Sequence, residues 1–374
     1  MKTLDQSSIR KQNLRQLLAL LSSTPAMTRH ALAEATGLSL MTVTNLVDLL
    51  KAQGVLTFSP AQRQERVVGR KAENVSLCGT EHAWLVVDIA SLHFTLLGFD
   101  MSLLAEGSMD ATCCDVDTLI RFIHDMRPRV EQALDGRSLL GVALITSRPY
   151  EAESDTIRFP QLSPLSGVRI KELFRTHLGD YLYLAEQGVK YAVRSFSVLL
   201  GHSDCELLYY LYMGKGLGGA LMHYGSLLFG YNNATGNVGL LTTSNGVSYD
   251  QMLSTGAFAA ALGLSSSSDE ALEECAAAQP ELYRQTLMRF SQLTAEMLAA
   301  VVMLMDPNSV LIDCRYALPF EEEYLQNVRQ ALMQRLNDSA RRLPSFSMVP
   351  TYTNTLLHGA VRALQLDWIE KILS

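Results

Sequence analysis

Cysteine is scarce in this 374-residue chain and poorly spaced for cross-linking. Six occur, at positions 78, 113, 114, 205, 275 and 314. None belongs to a C-x-x-C pair, and Cys113 and Cys114 are merely adjacent. That excludes a disulfide framework and a zinc spacing, and implies buried, reduced thiols. Long hydrophobic runs are also missing. The longest, 297–305, falls short of the roughly 20 residues a membrane helix needs. The N-terminus is polar and amphipathic, without the apolar core of a signal peptide. A cytoplasmic protein with no membrane partner is the expectation. Hydrophobic residues, by contrast, make up 48% of the chain, ample for sizeable cores, and the length predicts two or three domains.

Charge is divided unevenly. Residues 1–77 hold ten Lys/Arg against five Asp/Glu, a net of +5, while the whole chain is −7, which leaves −12 on the remainder. A basic head on an acidic body is the electrostatic footprint of a DNA-binding domain on a larger partner module.

Residues 28–56 carry the most specific pattern of the head. Apolar residues recur at helical spacing through Leu32, Ala33 and Ala35, and again through Val43, Leu46, Val47 and Leu50. Gly37 lies between the runs, where a tight turn needs positive φ. Thr28 and Ser39 are placed to cap the two helices, and Leu38 to plug between them. The second helix then reads as a recognition helix. Its inward positions leave Leu40, Met41, Thr42, Thr44 and Asn45 exposed near its N-terminal end, where this motif reaches base edges. Asn45 can pair bidentately with adenine, and Met41 and Thr44 can touch thymine methyls. Ser39 and Thr42 suit phosphate. Upstream, a helix over about 7–21 places Ile9, Leu14, Leu17, Leu18 and Leu21 on one face, with Arg10, Lys11 and Arg15 on the other. Downstream, Arg63, Arg66, Arg70 and Lys71 fall on a β-hairpin that returns through Val75 and Leu77, making a basic wing. The alternative is a plain three-helix domain used for protein contacts. Caps, turn glycine, wing and charge together favour DNA.

After Gly79 strands and helices alternate. Strands are predicted in WLVVDIA, HFTLLGFD, LLAEGSMD, LLGVALIT, YLYLAEQ, ELLYYLYMG, GALMHYG, SVLIDC and FSMVPT. Helices are predicted over 116–134, 170–178, 189–200, 248–262, 269–278, 281–305, 321–336 and 357–373. The fold class is α/β, with mixed sheets covered by helices. SSSSD at 265–269 reads as a loop and helix cap. Met288, Leu293, Met297, Leu298, Val301, Leu304 and Met305 read as core or subunit interface.

At six places in order the chain resembles the ROK family (repressors, open reading frames, kinases), above all its repressors. GRK at 69–71 stands for the family's G-R-P. VVDIASLHF stands for D-x-G-x-T, and GVALITSRP for the loop ending in P-G-P. MGKGLGGAL stands for G-T-G-x-G-G-G, LMDPNSVLID for L-D-P-x-x-I-x-x-G-G, and LHGAVRAL for the terminal G-A helix. The resemblance implies an N-terminal winged helix-turn-helix followed by a two-lobed actin-like, sugar-kinase-like body. The expected domains are 1–80 for the head, 81–190 for the first lobe, completed by the C-terminal helix 357–374, and 191–356 for the second.

The resemblance also shows what has changed. Asp88 is kept, but Ala90-Ser91-Leu92 replaces the first glycine turn, where backbone must approach a phosphate. Gly214-Lys215-Gly216-Leu217-Gly218-Gly219 keeps glycines but carries Lys215. The family's E-N-D reads Glu186-Gln187-Gly188, and Gly188 has no side chain to serve as the proton acceptor; losing a general base costs roughly 10²–10⁴-fold. G-E-x-G-H reads Gly236-Asn237-Val238-Gly239-Leu240, so the zinc-binding His becomes Leu240, and TTSNGVSYDQ follows without cysteine. No catalytic residue, metal or cofactor is expected. Candidate ligand-binding residues are Arg148, Glu186, Gln187, Asn232, Asn233 and Asn237, which suit a sugar; Arg148 and Lys215 would suit a sugar phosphate. Alternatively Arg148 pairs with a surface acid and the site is vestigial.

The expected function is a sequence-specific transcriptional regulator, a repressor of carbohydrate-related genes, bound to operator DNA as a homodimer or tetramer. Its rivals are a sugar kinase with an appended DNA-binding head, and a regulator switched by a protein partner.

Overall fold

Side-chain caps and buried leucines fix the first elements. The computed structural model describes residues 6–24, 26–60, 73–111, 113–158, 164–199, 206–336, 342–349 and 355–373. Helix α1 (Gln6–Ser23) buries Leu14, Leu17, Leu18 and Leu21. Ile9, expected on that face, is instead 44% exposed, because the buried face runs out one turn earlier. Strand β1 (Met27–Thr28) precedes α2 (Arg29–Thr36), and α3 (Leu40–Ala52) follows Gly37. In α2 only Leu32 is buried; Ala35, expected inward, is exposed. Strands β2 (Leu56–Pro60) and β3 (Glu73–Leu77) pair antiparallel, and β1 adds to the far side of β3. The sheet order is therefore β1-β3-β2. A two-residue strand is too short for periodicity to reveal, and β1 was not expected.

The chain divides into two units, 1–191 with 357–374, and 192–356. The first contains, besides the head, β4 (His82–Asp88), β5 (His93–Gly98), β6 (Leu103–Ser108), α4 (Val116–Leu134) and β7 (Ser138–Thr146). A short ribbon of β8 (Tyr150–Glu151) and β9 (Thr156–Ile157) follows, then α5 (Ile170–His177), β10 (Tyr183–Gln187) and the start of α6 (Gly188–Leu199). Its five-stranded sheet has the order β10-β7-β4-β5-β6, with β10, β7 and β4 parallel and the β4-β5-β6 meander antiparallel. Helices α4 and α5 bury Phe122, Ile123, Ile170 and Phe174 in one core with Leu85, Val87 and Leu144 of the strands.

The second unit contains β11 (Leu207–Met213), β12 (Leu217–His223), β13 (Ser226–Leu228), α7 (Tyr249–Leu253), α8 (Thr255–Ala261), α9 (Asp269–Ala278) and α10 (Pro280–Met305). Then come β14 (Ser309–Cys314), a 3₁₀ turn (Arg315–Phe320), α11 (Glu321–Leu336), β15 (Ser345–Met348) and the start of α12 (Thr355–Leu373). The sheet order is β13-β12-β11-β14-β15, with β11, β14 and β15 parallel and the β11-β12-β13 meander antiparallel. Counted within each unit, both sheets run fifth, fourth, first, second, third. The body is thus a structural duplication, and the β4-β5 and β11-β12 turns occupy equivalent places.

The helix expected over 248–262 is two helices. Ser254 leaves helical geometry at ψ 156°, and its hydroxyl accepts the Ala257 N–H at 3.3 Å, so it ends α7 and caps α8. Helix α10 is long and apolar enough to cross a membrane by length and composition. It is, however, a core helix of this unit, burying Leu287, Phe290, Met297, Leu298 and Val301. Met288, Leu304 and Met305, grouped with these by spacing, are exposed instead.

Candidate nucleic-acid interface and ligand-binding residues

The helix-turn-helix is held by two hydroxyl caps and one left-handed turn. The Ala31 N–H donates to Thr28 Oγ1 at 3.1 Å, and the Thr42 N–H to Ser39 Oγ at 3.1 Å. Gly37 takes φ +68°. Val43, Leu46, Val47 and Leu50 are buried. That rotation leaves Met41 75% exposed and Leu40 41% exposed, with Asn45 also exposed and Thr42 and Thr44 half-buried. The Thr44 hydroxyl donates to the Leu40 carbonyl at 2.8 Å, so its methyl is the part left to face outward. Ser39 Oγ and Thr42 Oγ1 lie 2.9 Å apart, a hydroxyl pair at the positive end of α3, where phosphate is favoured.

The wing strands pair as far as Pro60 with Glu73. Arg63, Arg66, Arg70 and Lys71, and with them the GRK segment, lie outside the described residues. A cluster at the base of the wing went unread in the sequence. Arg29 lies 3.5 Å from Asp48 and 3.7 Å from Glu73, and both Arg29 and Lys51 sit over the Phe58 ring, at 5.5 and 5.0 Å. It ties α2, α3 and both wing strands together.

The head is also fastened to its own unit. Arg15 pairs with Glu370 of α12 at 2.9 Å, and Lys11 pairs with the same carboxylate. Arg362 donates to the Arg15 carbonyl at 3.1 Å. Burial, and then the neighbouring Arg15, push the Arg362 guanidinium down to about 10. The His82 ring contacts the Gln53 carbonyl at 2.8 Å. Two of the three cations on the basic face of α1 are therefore engaged within the protein.

In the first unit, Asp88, Thr146 and Gln187 end three neighbouring parallel strands, paired as Asp88 with Ile145 and Thr146 with Gln187. The carboxyl ends of parallel strands are where α/β sheets bind ligands. Arg148, half-buried, follows two residues after Thr146, whose hydroxyl donates to its carbonyl at 2.7 Å. Gln187 is buried, and Glu186 accepts the Gln187 N–H at 3.1 Å. Glu186 also lies 3.5 Å from Lys190, whose side chain is 1% exposed. Arg148, Glu186 and Gln187 are thus brought to one edge of one sheet, with Lys190 as a partner not foreseen. In the second unit, Asn232 is exposed and Asn233 and Asn237 are half-buried along the segment after β13, with Asn233 at φ +54°.

In each of the two turns that would cradle phosphate, a carboxylate accepts backbone amide groups of the turn. In the first, Asp88 Oδ1 accepts the N–H groups of Ala90 at 3.0 Å and Ser91 at 3.4 Å, and the buried Leu92 takes φ +48°, a conformation suited to glycine. In the second, the Leu217 N–H donates to Asp250 Oδ1 at 2.5 Å, and a Cβ on Gly216 would meet that same oxygen at 2.9 Å. Lys215 is exposed. Gly188 opens α6, and Leu240 is half-buried. Where the resemblance puts a zinc loop, Thr242 bridges to Ser248, closed by the Thr243 N–H to the Val247 carbonyl at 2.9 Å. Among the described residues no group of three His, Cys, Asp or Glu is positioned to hold a metal ion.

Comparison with known proteins bears on both parts. Residues 10–57 match a family of winged helix-turn-helix DNA-binding domains. No curated protein matches the chain by sequence. Among solved structures, a ROK family transcriptional regulator described as a homolog of the E. coli MLC protein is similar over 98% of both chains, with TM-score 0.70 and 13% identity. A ROK family glucokinase from Streptomyces griseus, solved with glucose and AMPPNP, is similar over 75% of this chain and 98% of its own (TM-score 0.60, 16% identity). A ROK family protein from Streptococcus pneumoniae TIGR4, solved with sucrose, covers 77% and 99% (TM-score 0.59, 19% identity). The chain therefore carries a winged helix-turn-helix followed by a body with the ROK sugar-kinase fold.

Proposed function

We propose that the chain is a sequence-specific DNA-binding transcriptional regulator, a repressor of carbohydrate-related genes acting in the cytoplasm. The observation that carries it is the capped, core-anchored helix α3, which holds Met41 and Asn45 outward at its N-terminal half. Helix N-terminal residues of this motif meet base edges in the major groove. In this reading Asn45 reads adenine, Met41 and the Thr44 methyl contact thymine, and Ser39 and Thr42 hold phosphate. Arg63, Arg66, Arg70 and Lys71, basic residues of the sequence between β2 and β3, contact the DNA backbone in this reading.

The body acts as an effector and dimerisation module without phosphotransfer. Gly188 supplies no base, and the carboxylates of Asp88 and Asp250 stand at the amides a phosphate would need. The effector is a sugar or sugar phosphate; the candidate contacts are Arg148, Glu186 and Gln187 in the first unit and, taken separately, Asn232, Asn233 and Asn237 in the second. Support comes from relatives of the same fold solved with sucrose and glucose. Two copies present two recognition helices to symmetric half-sites. The ligand changes regulation only through different affinity for the DNA-competent and incompetent states.

Selection of bound duplexes from a random pool tests this reading. The expected result is a palindromic site, and Asn45→Ala should lose about 1–3 kcal/mol of discrimination at one base pair. Equal affinity of the parent chain for selected and scrambled duplexes would overturn it.

A further inference from the structure

A cleft of about 510 Å³ lies wholly within the second unit, between α9 and the 3₁₀ turn that follows β14. Its size falls in the roughly 300–1,000 Å³ range of small-molecule sites. None of the residues that line it is a candidate contact for DNA or for a sugar.

Both walls are held from behind. Helix α9 starts at Ser268, whose hydroxyl accepts the Ala271 N–H at 3.3 Å, and it turns Leu272 and Ala276 into the cleft. Opposite stand Leu318 and Phe320 of the turn. The Tyr283 hydroxyl donates to the Tyr316 carbonyl at 2.8 Å, and the Tyr316 ring stacks on Phe258 with centroids 4.3 Å apart. Phe320 packs against Tyr283 at 5.7 Å and under the Arg284 guanidinium at 4.2 Å. Arg284 is itself neutralised by Glu323 at 3.1 Å. The apolar floor is therefore preformed.

Three charges rim that floor: Asp269 and Glu273 on α9, and Arg315 on the turn. All three are exposed. Among the described residues none of them forms an ion pair. Arg315 acts on Asp313 through its charge alone, and that carboxylate already accepts the Tyr210 hydroxyl at 2.7 Å. Opposite charges thus line one cleft without neutralising each other. Asp269 and Glu273 also stand four residues apart on one stripe of α9, a like-charge spacing that disfavours a helix. A cation placed between them would remove that cost.

We propose that this cleft binds a small zwitterion on an apolar frame, of the amino-acid and short-peptide class. Asp269 and Glu273 take the ammonium, Arg315 takes the carboxylate, and the apolar side chain lies on Leu272, Ala276 and Phe320. Hydrogen bonds between ionised partners are the strong ones, and the guanidinium fork matches a carboxylate. The charge pattern rejects the other ligand classes. A nucleotide or sugar phosphate would bring its anion against two carboxylates. A neutral sugar would leave all three charges unmatched, and a simple amine would leave Arg315 unused. The inference goes beyond the regulator reading and does not depend on it.

Titration calorimetry of the full chain tests it, with L-phenylalanine and L-leucyl-L-phenylalanine as the zwitterions. Phenethylamine and hydrocinnamate keep the ring and only one of the two charges, and AMP serves as the nucleotide. At least one zwitterion should bind about 10-fold or more tighter than either single-charge analogue, and AMP should give no heat. Arg315→Gln should weaken the zwitterion by about 10-fold or more and leave phenethylamine unchanged. Glu273→Gln should weaken the zwitterion and leave hydrocinnamate no weaker. Both side chains are exposed, so the circular dichroism spectrum should not change. No heat from either zwitterion at millimolar concentration would overturn the proposal. So would a single-charge analogue or AMP that binds as tightly, or two variants that bind the zwitterion as the parent does.

Discussion

Arg15, in the first helix, lies 2.9 Å from Glu370, four residues from the end of the chain. The hydrogen bond from Lys11, followed by the charges of Lys11 and Arg15, holds the Glu370 carboxyl below its ordinary 4.5. A carboxylate with a lowered folded pKa stabilises above its unfolded value, and that contribution is lost as pH falls through the folded one. The tie between α1 and α12 should therefore be constant from about pH 8 to pH 5 and weaken below about pH 4. The side chains are 41% and 43% exposed, so solvent screening keeps the effect under about 1 kcal/mol. Glu370→Gln should remove the acid-side loss, read as protease sensitivity of the head against pH. A variant with the same pH profile as the parent would show that the pair carries no weight.

Gly37 offers a cleaner energetic test. Its φ is +68°, yet a Cβ there meets nothing within 4 Å. The cost of substitution is then backbone strain alone. Gly37→Ala should destabilise the helix-turn-helix by about 1–2 kcal/mol, and Gly37→Asn by less, since Asn tolerates the left-handed region. Hydrogen exchange of α2 and α3 amides in the full chain reads the difference. Equal losses for Ala and Asn would point to a steric cause instead.

The contrast between these two sites explains what was legible in the sequence. Gly37, Thr28, Ser39 and the four buried residues of α3 act within one or two turns of each other, so spacing and cap chemistry sufficed. Glu370 and Lys11 are 359 residues apart, and Asp250 reaches Leu217 across 33; no local pattern encodes such pairs. The strands of the body were readable as apolar runs, but the duplication of the two sheets is a property of pairing order, invisible where the repeats share no residues. Ser248 and Ser254 misled because two caps six residues apart resemble one helix. Glu186 and Lys190 stood at i, i+4 in plain view. They were missed because the strand ends at Gln187, and the helical spacing begins only there.

That pair sets the next test. Lys190 is 1% exposed and Glu186 14%. Removing one charge of a buried pair leaves the other poorly compensated. Glu186→Gln should cost up to about 3 kcal/mol, and Glu186→Gln with Lys190→Met together should cost less than the sum of the singles. Chemical denaturation of the four proteins gives the coupling. Strict additivity would mean that the Glu186 and Lys190 charges do not depend on each other.

The last prediction concerns chemistry. If the missing base were the sole obstacle to phosphotransfer, Gly188→Asp would restore ATP-dependent turnover on some sugar. The turns predict otherwise. A phosphate binds where backbone N–H groups are unclaimed, and here Ala90, Ser91 and Leu217 already donate to Asp88 and Asp250. A carboxylate at such a site also repels phosphate. Gly188→Asp should therefore stay inactive across a sugar panel, and nucleotide should give no thermal shift with parent or variant. Asp250→Ala frees the Leu217 amide and removes one negative charge, so a nucleotide shift, if any is to be gained, should appear there first. Turnover by the parent chain would mean that the body is an enzyme, and turnover by Gly188→Asp alone would mean that the turns rearrange on binding and that only the base is missing.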